Sequence, residues 1–158
     1  MSKFSKYFRL MIDIQFPGLP FKIKKLNNRD LVFDVFRKQW VVLTPEEWVR
    51  QNFLQYLVEI KKYPASLIAV EREILVGELR RRFDIVVFKD AKPWMVIECK
   101  ELKVALSEAV IKQALNYNIS LQVQYLVVTN GASTFALHCN QKAHEWLQEL
   151  PEFDVQEL

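Results

Sequence analysis

The sequence predicts an α/β fold, in which a mixed central sheet is flanked by helices and preceded by a β-rich N-terminal segment. Apolar residues recur at helical spacing in two separate windows, and at period two or in short unbroken runs in several others. The two kinds of window alternate along the chain, the pattern of strands exchanging with helices around one sheet. With 158 residues, 51% hydrophobic and 26% charged, the chain can bury one sizeable core. Three glycines and six prolines give no sign of disorder or of a fibre, and no repeat or long linker divides the sequence. The expected organisation is a β-rich extension over residues 1–43 and a core over residues 44–158, together one compact domain.

In the extension, Leu19, Phe21 and Ile23 alternate with other residues, and LNNRD supplies turn chemistry before LVFDVFRKQWVVL. Thr44-Pro45-Glu46-Glu47 opens the first helix with an N-cap, a proline at the first helical position and a glutamate three residues after the cap. Val49, Phe53, Tyr56, Leu57 and Ile60 continue at helical spacing as far as KKYP, where Pro64 forces Tyr63 out of helical geometry. Three strands follow, at about residues 67–76, 83–88 and 94–99, separated by residues 77–82 and by KDAKP. Ser107 can cap a second helix running to about residue 120, on which Val110, Ala114 and Tyr117 share a stripe. VQYLVVT has a buried-strand pattern, Asn130-Gly131 a turn, and TFALHC the returning strand. A short helix over residues 141–150 closes the chain. The core order is then α-β-β-β-α-β-β, and the strands on either side of the second helix can lie parallel through a right-handed crossover.

The middle hairpin carries the chemistry. If KDAKP is a five-residue loop, Phe88 faces Trp94, Val86 faces Val96 and Asp84 faces Glu98. Trp94, Val96, Glu98 and Lys100 then share a face, and Ile85, Val87, Met95, Ile97 and Cys99 point to the other side, into core. Opposed like charges destabilise a sheet, so the carboxylates require a compensating cation. Two carboxylates with a nearby backbone carbonyl suit a hard divalent ion such as magnesium, and phosphodiester hydrolysis uses such an ion with a lysine to orient water. The residues alone leave a second reading open, in which Asp84 and Glu98 are surface charges satisfied by Arg80, Arg81 and Arg82.

Other features narrow the class. A net charge of +3 permits a nucleic-acid partner without demanding one. Cys99 and Cys139 are the only cysteines, and Cys99 stands between two charged residues, so a disulfide framework is not expected. The first residues lack a signal-peptide pattern and no apolar run approaches the roughly 18 residues of a membrane span, so a cytoplasmic protein without membrane association is expected. His138 and His144 lack zinc-ligand spacing with a cysteine pair, and no G-x-x-x-x-G-K-[ST] motor signature occurs. Trp40, Trp48, Trp94 and Trp146 read as core or boundary residues. Lys22, Lys24 and Lys25 with Arg37 and Lys38 form a second basic strip besides Arg80–Arg82.

At FDIVVF, WMVIECK and IKQALNY the sequence resembles the PD-(D/E)xK nuclease superfamily, and within it the N-terminal nuclease domain of type I restriction enzyme R subunits. TPEEWVRQ and VVTNG extend the resemblance over about residues 44–131. Phe83 stands where the superfamily name has proline. The resemblance implies a restriction-endonuclease-like core and a magnesium-dependent endonuclease, with manganese as a substitute. It places Asp84, Glu98 and Lys100 at the catalytic centre and Asp84, Glu98 and the Cys99 backbone carbonyl on the metal. Gln113, four residues before Tyr117 on one helical face, is assigned to the same site; helix periodicity alone makes Gln113 a boundary residue and Tyr117 core. Glu47 is a further catalytic candidate, with Glu46 as substitute; its rival role is a capping box with Thr44. Arg80, Arg81, Arg82 and Tyr117 would contact DNA. A chain with this nuclease motif and no motor would draw a targeting or motor protein in trans. The rival class is a nuclease-fold binding or scaffold protein with little turnover; a third is an unrelated α/β protein, which would put Asp84 and Glu98 on different faces.

Overall fold

The computed structural model describes residues 10–76, 78–118 and 121–154. It has a mixed α/β architecture with two sheets. A three-stranded antiparallel sheet comprises β1 (Ile23–Leu26), β2 (Arg29–Asp34) and β3 (Gln39–Val42). A six-stranded sheet holds β4 (Ile68–Val76), β5 (Leu79–Lys89), β6 (Lys92–Cys99), β7 (Tyr125–Thr129), β8 (Thr134–Cys139) and β9 (His144–Trp146), side by side in chain order. Only β6 and β7 are parallel, and the connection between them carries helix α2 (Glu108–Asn118). Helix α1 (Pro45–Gln55) lies between the two sheets in sequence and ends in a π-helical turn at Tyr56–Ile60.

The apolar pattern explains the layering. One core, on Ile85, Val87, Met95 and Ile97, packs against Val49, Phe53, Leu54 and Leu57 from α1 and its extension. A second, on Val86, Val96, Leu126 and Val128, is covered by Ala114 of α2 with Leu121 and Val123. Both faces of the central strands are therefore buried, as their nearly continuous apolar runs require. The small sheet is tied to α1 through Asp34. Its carboxylate accepts from the Phe36 and Arg37 backbone N–H groups at 2.8 and 2.9 Å, from Arg37 Nε at 2.6 Å and from Gln51 Nε2 at 2.9 Å.

Several local expectations are corrected. KDAKP is not a five-residue loop: β5 and β6 continue to Lys89 and Lys92, joined by a two-residue turn at Asp90 and Ala91, both at positive φ. A bulge at Val87/Phe88 pairs Phe88 with Pro93, yet Val86 still faces Val96. The bulge turns Trp94 off the Val96 face and into the other core, against Tyr63, Tyr125 and Phe153. Arg80, Arg81 and Arg82 lie within β5, paired with Leu75, Ile74 and Glu73, and not in a turn; Gly77, expected in the same connection, is outside the described residues. The terminal helix is absent among the described residues: Asn140 Oδ1 accepts from Lys142 N–H at 3.1 Å, closing a turn into β9. Asparagine at this position serves a hairpin turn. Trp40 and Trp48 are 38% and 46% exposed, whereas Trp94 is buried and Trp146 half-buried. No helix among the described residues is long and apolar enough to cross a membrane.

Candidate active site

The carboxylates meet one step beyond the Ile85–Ile97 pair of the hairpin. Asp84 lies close enough to Glu98 for their charges to act on each other, and its Oδ2 accepts the Cys99 backbone N–H at 2.8 Å. Asp84 Oδ1 accepts from Arg50 Nη2 at 2.6 Å. Burial pushes the Glu98 carboxyl up to about 8; the Asp84 charge adds to this, Lys100 opposes it, and Glu46 raises it further. Glu46 itself is raised by burial and then by Asp84, with Arg50 and Lys100 opposing. Asp84, Glu98 and Glu46 therefore feel one another, and Lys100 acts on both glutamates.

Lys100 follows β6 directly. Its backbone N–H donates to Thr129 O at 2.8 Å, extending the parallel pairing and fixing where its side chain departs. Glu98, Lys100 and Gln113 line one cavity of about 330 Å³ together with Arg81 and Arg82. Gln113 comes from α2, whose start is capped by Ser107: its carbonyl accepts from Ile111 N–H at 3.0 Å and its hydroxyl from Val110 N–H at 3.4 Å. Arg80 points elsewhere, to Glu73 at 3.2 Å on the exposed surface. The Tyr117 side chain lies outside the described residues.

Glu47 is held apart from this group. Thr44 Oγ1 accepts from the Glu47 N–H at 3.0 Å, giving one half of a capping box. The other half is missing, since Thr44 N–H donates to Val42 O. The Glu47 carboxylate instead takes Arg37 Nη2 at 2.6 Å, Gln51 Nε2 at 2.9 Å and Arg50 Nη1. Of the adjacent glutamates, it is Glu46 whose charge reaches Asp84 and Glu98.

Two participants escaped the sequence reading. Arg50 is buried at the meeting point of Glu46, Glu47, Glu71 and Asp84, with its Nε lacking a partner among the described residues. Burial alone would lower its pKa, and the surrounding carboxylates, Asp84 first, more than reverse that. In sequence, its spacing of three and four from the glutamates resembles an ordinary solvated helix pair. Glu71, on a strand where a carboxylate is ordinarily solvated, bonds Arg50 Nη2 at 2.9 Å and pairs with Arg82. Its φ of +55° interrupts an otherwise regular strand between the Val70–Ile85 and Arg72–Phe83 pairs, a distortion that no residue pattern announces.

The donor set suits a hard cation. Among the described residues no three acidic, histidine or cysteine side chains converge at metal spacing. The available ligands are two carboxylates and main-chain carbonyls, and each Asp84 oxygen, although hydrogen-bonded, has a second lone pair. Burial first, and then the Asp84 charge, raises the Glu98 carboxyl to about 8 against the opposing Lys100, a setting in which a bound cation would favour its ionised form.

No curated protein matches the chain. A solved structure of a DUF820 protein from Anabaena variabilis, described as a candidate nuclease, shares 14% identity at a TM-score of 0.46, with 83% of this chain and 80% of that one covered. A family model described as type I restriction enzyme R protein N terminus matches residues 45–152, from the first residue of α1 to beyond β9. The match includes the whole β5–β6 hairpin and α2, and the chain belongs to the type I restriction enzyme R protein N terminus family.

Proposed function

We propose that the protein is a magnesium-dependent nuclease that hydrolyses DNA phosphodiester bonds at Asp84, Glu98 and Lys100. The observation that carries the reading is the closeness of Asp84 and Glu98, whose charges act on each other, beside a cavity lined by Glu98, Lys100, Gln113, Arg81 and Arg82. Membership of a restriction-enzyme family supports it, and supports a restriction-endonuclease-like core within residues 44–158, to which residues 1–43 would add a β-rich extension.

Asp84, Glu98 and the Cys99 carbonyl would hold the divalent ion, which when bound supplies Lewis-acid stabilisation of phosphate charge and acidifies water. Manganese would substitute for magnesium. Lys100 orients the attacking water and holds its proton inventory near the scissile bond. Arg81 and Arg82 neutralise neighbouring phosphates, and Gln113 donates to the water or to a phosphate oxygen. Arg50 aims the Asp84 carboxylate through the hydrogen bond from its Nη2. DNA is the expected partner, with targeting or translocation supplied in trans.

The test is cleavage of plasmid and single-stranded DNA with magnesium or manganese, comparing wild type with Asp84→Ala and Lys100→Ala. Loss of about a hundredfold or more in both variants supports catalysis. A wild type that cuts nothing at saturating metal, yet binds DNA as its variants do, replaces this reading with a scaffold on a nuclease fold.

A further inference from the structure

We propose that the outward face of the β1–β3 sheet is a binding platform for single-stranded nucleic acid, separate from the carboxylate site. Strand register defines the face. Val32 and Asp34 of β2 are buried, so Arg29 and Phe33, one residue out of phase, point the other way. Lys22, whose carbonyl accepts from Phe33 N–H at 3.0 Å, joins Phe33 and Trp40 in one cross-strand row. Lys24 lies in the next row, beside Leu31 and Val42, and Arg29 in the row beyond, opposite Leu26.

The face carries three cations, two aromatic rings and no carboxylate. Of the two acidic residues of β2, Asp34 is buried and Asp30 pairs with Lys25 across the opposite face, at 4.0 Å. A sheet face that is merely solvated carries mixed charges, and one that packs on protein carries few. Phosphate is complementary to this charge. The rings supply the second requirement: Trp40, 38% exposed, meets Phe33 edge-on at 5.4 Å, with the Lys24 ammonium 4.1 Å from the indole centroid. The Lys22 ammonium lies 5.9 Å from the Phe33 ring. Exposed aromatic surface flanked by ammonium groups stacks unpaired bases while tracking the backbone between them. Paired bases present no free face, so the occupant is a single strand.

The test measures binding of a fluorescent 20-nucleotide oligothymidine and of a matched duplex to the full chain in EDTA, where the result does not depend on whether the protein cuts DNA. Trp40→Ala is expected to weaken single-strand binding about tenfold, the loss of one stacked base, and to leave duplex binding within about twofold. Trp40→Phe should restore most of it. Replacing Lys22, Lys24 and Arg29 together by glutamine should reduce the slope of log affinity against log salt by about 2, the value for three phosphate contacts on a single strand. Melting temperatures within a few degrees of wild type verify the fold. The proposal is overturned by wild type that fails to bind the oligomer, by folded variants that bind as wild type does, or by Trp40→Ala affecting duplex equally. It is also overturned if wild type sediments as a dimer that these substitutions dissociate, since the face would then belong to a second copy.

Discussion

Helix α1 contributes to two charge clusters only one turn apart, and they are built on opposite terms. Around Glu47, charges balance: Asp34 and Glu47 face Arg37, Gln51 and one arm of Arg50, and both carboxylates are multiply bonded and buried. Around Asp84 they do not. Asp84, Glu98, Glu46 and Glu71 share only the other arm of Arg50, Lys100 and Arg82, and burial together with the Asp84 charge raises the Glu98 carboxyl to about 8. The first cluster holds the small sheet on the helix; the second is left short of positive charge, the condition in which a bound cation gains most. Burial and carboxylate count do not separate a structural cluster from a reactive one. The local charge balance does.

The largest effect should come from breaking the balanced side. Glu47→Ala removes one buried carboxylate from Arg37 and from Arg50, leaving them Asp34 and Asp84, and should cost about 3 kcal/mol of stability, read as a lowered urea midpoint. If stability instead stays within about 0.5 kcal/mol while cleavage is lost, Glu47 belongs to the reactive side. Lys100→Ala should do the opposite: cleavage falls about a hundredfold or more, and the urea midpoint barely moves, because the residue fills no core volume.

A pH titration sharpens the contrast further. In EDTA, folded Glu98 keeps its proton up to about pH 8, whereas the unfolded chain loses it near 4.5. The native state binds more protons across that window, so stability should fall as pH rises from about 5 to 8, by on the order of 2 kcal/mol, and level off above. Glu98→Gln should flatten this slope. Magnesium titrated calorimetrically at pH 7 in buffers of different ionisation enthalpy should release a proton, because the metal favours the ionised carboxylate. Absence of both effects would place Glu98 with the satisfied charges.

Much of this site was legible before any coordinates. Period-two alternation around FDIVVF and WMVIECK put Asp84 beside Glu98, and the register at Val86–Val96 follows even though the loop does not. The reason is arithmetic: a two-residue turn with a one-residue bulge restores, from Val86 outward, the pairing of a five-residue loop. Trp94, between turn and bulge, is where that equivalence fails. Arg50 and Glu71 were illegible because their roles depend on tertiary encounter: Arg50 reaches Asp84 across 34 residues, and Glu71 through one residue of left-handed backbone. The terminal hairpin was missed because Asn140 can serve a helix cap or a tight turn equally well, and the pairing of Leu137 with Trp146 decides between them.

The Asp90-Ala91 turn also offers a route to a sturdier protein. Both residues hold φ values of +51° and +59°, a conformation that costs an L-residue with a Cβ about 1 kcal/mol and that glycine adopts freely. Ala91→Gly, or Asn-Gly across the pair, should raise the melting temperature by a few degrees, and it acts at the end of the hairpin opposite Asp84 and Glu98. Thermal tolerance and turnover can therefore be engineered independently in this chain, because one hairpin carries its backbone strain at one tip and its charge at the other.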